Sequence, residues 1–137
     1  MSTAELAGQI IDASQVALGA ELGRGQFKRV NRGRFRGRNV ALLLFSDDTA
    51  CKELHILLRL AKQGPRFVPQ TYGICTVIGK RCLVQELARF GTFKDLVQKR
   101  PQCMSFLHAL TAATQVADAM VFLESEGVVH ADLSCRN

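Results

Sequence analysis

Six consecutive apolar residues, Val40-Ala41-Leu42-Leu43-Leu44-Phe45, constrain this chain more than any other feature. A run of strand length with no polar alternation offers no side to water, so it reads as a strand buried on both faces in the middle of a sheet. Such a centre needs neighbours. Val16, Leu18 and Leu22, then Phe27 and Val30, surround Gly23-Arg24-Gly25, which predicts two strands joined by a glycine loop. Phe67 to Ile78 and Arg81 to Leu87 read as two more, joined at Gly79-Lys80, where glycine at the first turn position suits a type II′ hairpin. The total is about five strands. Arg32, Arg34, Arg36 and Arg38 recur at every second residue and would share one wet face of an extended chain.

Helical spacing alternates with these strands. Ser46-Asp47-Asp48-Thr49 offers N-caps for a helix whose apolar residues are Ala50, Leu54, Leu57, Leu58 and Ala61, stopped by Gly64-Pro65. Gly91-Thr92-Phe93-Lys94-Asp95 carries a capping pattern and Pro101 closes the short helix it starts. Phe106, Leu110, Ala113, Ala117 and Met120 then step by four and three along a long helix, broadened by Leu107, Val116 and Leu123, with Gly127 as its C-cap. Val128-Val129 reads as a brief strand, and a short helix is expected around Leu6 to Ile11.

With 137 residues, 47% of them hydrophobic and 22% charged, the chain has material for one core and is no disordered polymer. No run of 18 apolar residues occurs and the start has no signal-peptide pattern, so a cytoplasmic protein without membrane insertion is expected. Five cysteines, Cys51, Cys75, Cys82, Cys103 and Cys135, are odd in number, lack a C-x-x-C pair, and read as reduced thiols that are mostly buried. The net charge of +6 is concentrated: Arg24, Lys28, Arg29, Arg32, Arg34, Arg36 and Arg38 lie in a stretch with no acid between Glu21 and Asp47. An anion, a nucleic acid, a phosphorylated ligand or plain water would each suit it. The stretch lacks the interleaved aromatics and the motifs of nucleic-acid binders, so no nucleic-acid partner is expected.

Taken singly, the polar motifs are weak. Gly23-x-Gly25 can be a hairpin tip, and His130 beside Asp132 a surface pair. Their order is specific: a glycine loop, an apolar strand, an acid-bearing helix, a hairpin ending in Gln85-Glu86-Leu87-Ala88, a long helix, then His130-x-Asp132-x-x-x-x-Asn137. This succession resembles protein kinases. The resemblance covers residues 16–137 and implies an α+β fold: a protein-kinase-like amino-terminal lobe, about five antiparallel strands plus helix C over 16–87, then hinge, helices D and E and the start of the catalytic loop over 88–137. Residues 1–15 would be a lead-in.

The same resemblance implies ATP and Mg2+ as cofactors and a protein substrate or partner domain. Leu22, Gly23, Gly25, Phe27, Lys28 and Val30 look like the glycine-rich loop, where backbone must approach a triphosphate closely. Ala41 resembles the adenine roof, Glu53 the ion-pair glutamate of helix C, and Gln85, Glu86, Leu87 and Ala88 the gatekeeper and hinge. Asp132 matches the catalytic base and Asn137 a magnesium ligand. Ser134 and the Arg136-Asn137 ending look tyrosine-kinase-like, and the hinge region resembles Janus kinase pseudokinase domains.

Three departures stand out. Val40-Ala41-Leu42-Leu43 puts leucine where the family carries the lysine that contacts the α- and β-phosphates. Lys28 replaces the loop's third glycine, an arrangement similar to the with-no-lysine kinases; it either reaches into the cleft and pairs with Glu53 or is one more solvated cation. Ala131 stands where His-Arg-Asp has arginine, which implies lost or altered activation-loop control. No Asp-Phe-Gly or activation segment follows Asn137, and the sequence is expected to be a piece of a longer chain. Two functions follow from the resemblance: transfer of the γ-phosphoryl of MgATP to a protein hydroxyl, or a pseudokinase acting by contact.

Overall fold

The computed structural model describes residues 10–25, 28–46 and 50–137, with backbone alone at Ala50 and Cys51. The chain forms two units, residues 1–65 with 69–87, and residues 66–68 with 88–137.

The first unit is built on five antiparallel strands in the order β1-β2-β3-β5-β4: β1 Val16–Arg24, β2 Lys28–Phe35, β3 Arg38–Phe45, β4 Thr71–Val77 and β5 Lys80–Glu86. The apolar run is the central strand. Alternate residues of β3 feed two cores: Val40, Leu42 and Leu44 pack with Phe35, Cys75, Cys82 and Val84 on one face. Leu43 and Phe45 pack with Leu54, Leu58 and Leu83 on the other. Both faces are covered because each Val, Leu or Phe of the run left in water would lose roughly 1.5–3 kcal/mol of burial. Helix α1, Ala50–Gln63, covers the second face with Leu54 and Leu58, one turn apart and almost fully buried. The first face is covered by Ile11 and Val16, and Ile11 N donates to Ile74 O at 2.7 Å, bridging residues 10–11 to the outer edge of β4.

Several expectations change in detail. The Phe67 to Ile78 strand begins only at Thr71. Pro69 has no N–H for a ladder, and Phe67 belongs to the second unit, stacked on Phe122 at 4.9 Å between centroids. The β4–β5 turn is Ile78-Gly79, one residue earlier than Gly79-Lys80; φ is positive at both (52° and 67°), so the turn is type I′ and not II′. The four arginines do not share a face. Arg36 and Gly37 form a second type I′ turn, and Arg38, opposite Phe35, points to the side away from Arg32 and Arg34. The expected helix around Leu6 lies mostly outside the described residues, as do the cap candidates Asp47, Asp48 and Thr49; Ile10 and Ile11 are not helical.

The second unit contains α2, Phe93–Lys99, a 3-10 turn at Pro101–Cys103, and α3, Phe106–Ser125. Thr92 caps α2 in a reciprocal box with Asp95, the pattern expected from sequence. Ser105 and His108 form a similar box at α3, so the imidazole serves the helix start. Phe106, Leu107, Leu110, Val116 and Val121 are exposed on α3. The helix is long and apolar enough to cross a bilayer by length and composition alone. Val128-Val129 forms no strand: neither residue pairs with another strand among the described residues, and Val129 is exposed.

Candidate functional site

In the first unit four of the expected strand residues, Lys28, Val30, Ala41 and Gln85, fall on the surface of the sheet that α1 covers. Cross-strand register places Lys28 opposite Phe45, Val30 opposite Leu43 and Arg32 opposite Ala41, and Ala41 is in turn opposite Gln85. Directly opposed residues share a face, so Lys28, Val30, Ala41, Leu43 and Gln85 line one surface. Leu43, buried at 8% exposure, packs against the leucines of α1 and brings no cation to this surface. Lys28 does. Its Nζ pairs with Glu53 Oε1, the carboxylate carried on the flank of α1 beside buried Leu54. The two side chains are about one-third to two-fifths exposed, so the pair sits at the margin of the core within reach of water.

Gly23 and Gly25 bracket the end of β1. Among the described residues, a methyl group added at Gly23 would meet no atom within 4 Å, so none of them fills the space that glycine leaves. Gly25 N donates to Lys28 O at 2.8 Å, which fixes the approach of the chain to Lys28. Phe27 lies outside the described residues, and Leu22 is half exposed. Glu21 accepts two bonds from Arg24, at 2.7 and 3.1 Å, and that guanidinium holds the Glu21 carboxyl below its ordinary range.

The Gln85 side chain is buried and its amide donates to Thr71 Oγ1 at 3.2 Å. Glu86 is tied twice to Gln70: its N–H donates to Gln70 O, and its carboxylate accepts from Gln70 N at 3.1 Å. Leu87 ends this unit and Ala88 begins the next. Asn31 was missed by sequence reasoning. It is buried, and its amide donates to Gly19 O at 2.9 Å, binding the glycine-bearing β1 to β2. A polar residue in the inward alternation of β2 was the only available signal.

In the second unit Asp132 and Asn137 come together. Asn137 Nδ2 donates to Asp132 Oδ2 at 2.9 Å and also to the Asp132 carbonyl. Asp132 N donates to His130 Nδ1 at 3.3 Å, and Ala131 between them takes a left-handed backbone (φ 63°). Lys94 N, a first-turn donor of α2 with no partner inside the helix, donates to Cys135 O at 2.8 Å and anchors this segment. Cys135 is exposed, as is Cys103, whereas Cys75 and Cys82 are buried; among the four described thiols the expectation of burial holds for the pair in the sheet, and the Cys51 side chain lies outside the described residues. The exposed pair lies on a 3-10 turn and a loop, where no core is available.

Residues 16–137 match the family model of protein tyrosine and serine/threonine kinases. The chain belongs to this kinase family. Among similar proteins, a probable LIM domain-containing serine/threonine-protein kinase of Dictyostelium discoideum is 29% identical over 136 residues, covering 93% of this chain and 21% of the relative. The megakaryocyte-associated tyrosine-protein kinase of Rattus norvegicus is 29% identical over 132 residues, 96% of this chain and 28% of the relative. Tyrosine-protein kinase Fer of Mus musculus is 26% identical, over 93% of this chain and 16% of its own length. The kinase chain therefore spans little more than a quarter of such relatives at most.

Proposed function

We propose that this kinase segment binds MgATP and that the protein containing it transfers the γ-phosphoryl group to a protein hydroxyl, with Lys28 taking the place of the missing third-strand lysine. The ion pair between Lys28 and Glu53 carries the reading. It supplies an ammonium on the surface that holds Ala41 and Gln85, two residues along the sheet from the leucine that cannot. The space that the described residues leave beside Gly23 and the oxygen donors of Asp132 and Asn137 fit a phosphate chain and a hard divalent cation. When bound, the metal and nucleotide supply the electrophilic phosphorus and neutralise its charge.

The chain's own groups do the rest. Lys28 holds a positive charge where phosphate oxygens would be bound, with Glu53 fixing its rotamer. Glu86, Leu87 and Ala88 present hinge backbone for an adenine ring, and Gln85 is the gatekeeper side chain. Asp132 Oδ2, oriented by the Asn137 amide, accepts the proton of the substrate hydroxyl, and Asn137 Oδ1 is left for the cation. The ending Ser134 to Asn137 supports a tyrosine-kinase-like catalytic loop.

A second reading, a pseudokinase that binds nucleotide weakly and acts by contact, is favoured by the burial of Leu43 and by Ala131. The test is Lys28→Met in the full-length protein, assayed for phosphotransfer from labelled ATP with circular dichroism as a folding control. Loss of activity with retained folding supports the relocated lysine; unchanged activity refutes it. A wild-type protein that binds but does not turn over ATP supports the pseudokinase.

A further inference from the structure

The arginines at the end of the β2–β3 hairpin are unused by any of this chemistry. Arg32, Arg34, Arg36 and Arg38 are all exposed. Among the described residues none of the four forms an ion pair. Arg34 Nη2 donates to Gly37 O at 3.2 Å, and the Arg36 guanidinium lies 4.9 Å from the centroid of the Phe35 ring. Their cross-strand neighbours are uncharged or basic: Ala41 faces Arg32, Ala17 and Asn39 flank Arg34, and Phe35 faces Arg38. Glu21, an acid on β1, is occupied by Arg24. Four like charges at one tip repel, and nothing in the hairpin offsets them.

The frame beneath them is stiff. Register is unbroken from Lys28–Phe45 to Phe35–Arg38, and Phe35 is buried in the core. Gly33 is packed so closely that an added methyl would lie 2.4 Å from Leu42 and 2.9 Å from the Ala17 carbonyl. The guanidiniums are thus presented by backbone that loses little freedom on binding. Arg32 and Arg34 project from one face about 6.6 Å apart, twice the rise of a strand residue. That spacing matches carboxylates on alternate residues of an extended segment. Arginine throughout, with no lysine, suits paired planar forks to carboxylate.

We propose that this hairpin end is a docking site for an acidic, extended protein segment with Asp or Glu on alternate residues, running along β2 toward the turn so that Arg32 and Arg34 take two carboxylates and Arg36 a third. A membrane surface fits less well: residues 32–39 expose no apolar anchor, since Phe35 is covered by Arg36, and Arg38 points away from the Arg32–Arg34 face. Single-stranded nucleic acid would want an exposed aromatic platform, which the described residues of the hairpin do not provide. The proposal is independent of whether the protein transfers phosphate.

The full-length protein is titrated against a fluorescein-labelled dodecapeptide of alternating Glu and Thr, followed by anisotropy at low and physiological salt. Arg32→Glu with Arg34→Glu should weaken binding by at least about tenfold, with each fork to carboxylate a charge-assisted bond. Arg36→Glu, in the solvent-exposed turn, should weaken it several-fold and stands in if the double variant fails to fold. Lys80→Glu, at the other hairpin tip, should leave it unchanged. Equal loss in the Lys80 variant, or no loss in either arginine variant, overturns the proposal. So does tighter arginine-dependent binding to phosphatidylserine-containing vesicles or to a single-stranded oligonucleotide than to the peptide.

Discussion

Lys28 and Glu53, 25 residues apart in sequence, meet as an ion pair between the second strand and the first helix of the sheet unit. Both are substantially exposed, so water screens the pair, and its contribution to folding should be only about 0–1 kcal/mol. Any function of the pair lies in placing charge. Glu53→Gln should therefore leave the melting temperature almost unchanged while lowering phosphotransfer by about two orders of magnitude, the usual scale for losing one preorganised electrostatic contact. Adding Leu43→Lys to Lys28→Met should restore part of the activity, because residues 43 and 28 share a face. Initial rates and thermal melts on the same preparations check both.

The Gln85 amide is buried with Thr71 as its partner. Thr71→Val should strand that amide and destabilise the protein by about 1–3 kcal/mol, whereas Thr71→Val with Gln85→Leu should recover most of the loss because no polar group is then left unpaired. Denaturant titrations of the two variants give the difference directly.

Gly33 has no room for a side chain between Leu42 and the Ala17 carbonyl. Gly33→Ala should cost about 1–3 kcal/mol through displaced backbone, with Gly37→Ala, which meets no atom but sits at φ 77°, destabilising through conformation instead. Adding Leu42→Val should relieve part of the first variant's loss and none of the second's.

Cys75 and Cys82 lie opposite each other in β4 and β5, both buried. The Cys75 sulfur as hydrogen-bond partner, together with burial, pushes the Cys82 thiol up, so it stays protonated at neutral pH. Native iodoacetamide labelling should modify exposed Cys103 and Cys135 at least about tenfold faster than this pair, a difference that peptide mass spectrometry resolves and that denaturant should abolish.

Asp95 links the cap of α2 to acid sensitivity. Its hydrogen bond from Lys99, then those from Thr92, hold the carboxyl at about 2 against an ordinary 3.8. A depressed folded value means that its stabilisation is complete above the ordinary value and disappears as pH falls from near 3.8 through about 2. Asp95→Asn should flatten that part of the pH–stability profile, and thermal melts between pH 5 and pH 2 check it.

The sheet was legible because β3 left no choice: a strand apolar on both faces dictates a covered centre, and the glycine loop and hairpin supply its neighbours. The Lys28–Glu53 contact was legible only as one of two alternatives, since periodicity places Lys28 on a face but does not tell whether a flexible side chain reaches a helix 25 residues away. The β4–β5 turn was displaced by one residue because β-branched Ile78 takes a positive φ (52°) that its type disfavours and the strand register imposes. The arginine alternation misled for a related reason: a period of two has meaning only while the strand continues, and β2 ends at Phe35. Thr71 as partner of Gln85, and His108 as a helix cap, depend on which side chains converge, which no spacing rule encodes.

The bridge of Ile10 to Ile74, with the bond from Ile11 N to the Ile74 carbonyl, covers the middle of the outer margin of β4. A chain trimmed to begin at Val16, where the family match starts, would strip that cover and extend the open edge of β4, able to recruit another molecule. Recombinant fragments cut at the apparent domain boundary should accordingly self-associate, while those retaining residues 10–15 stay dispersed.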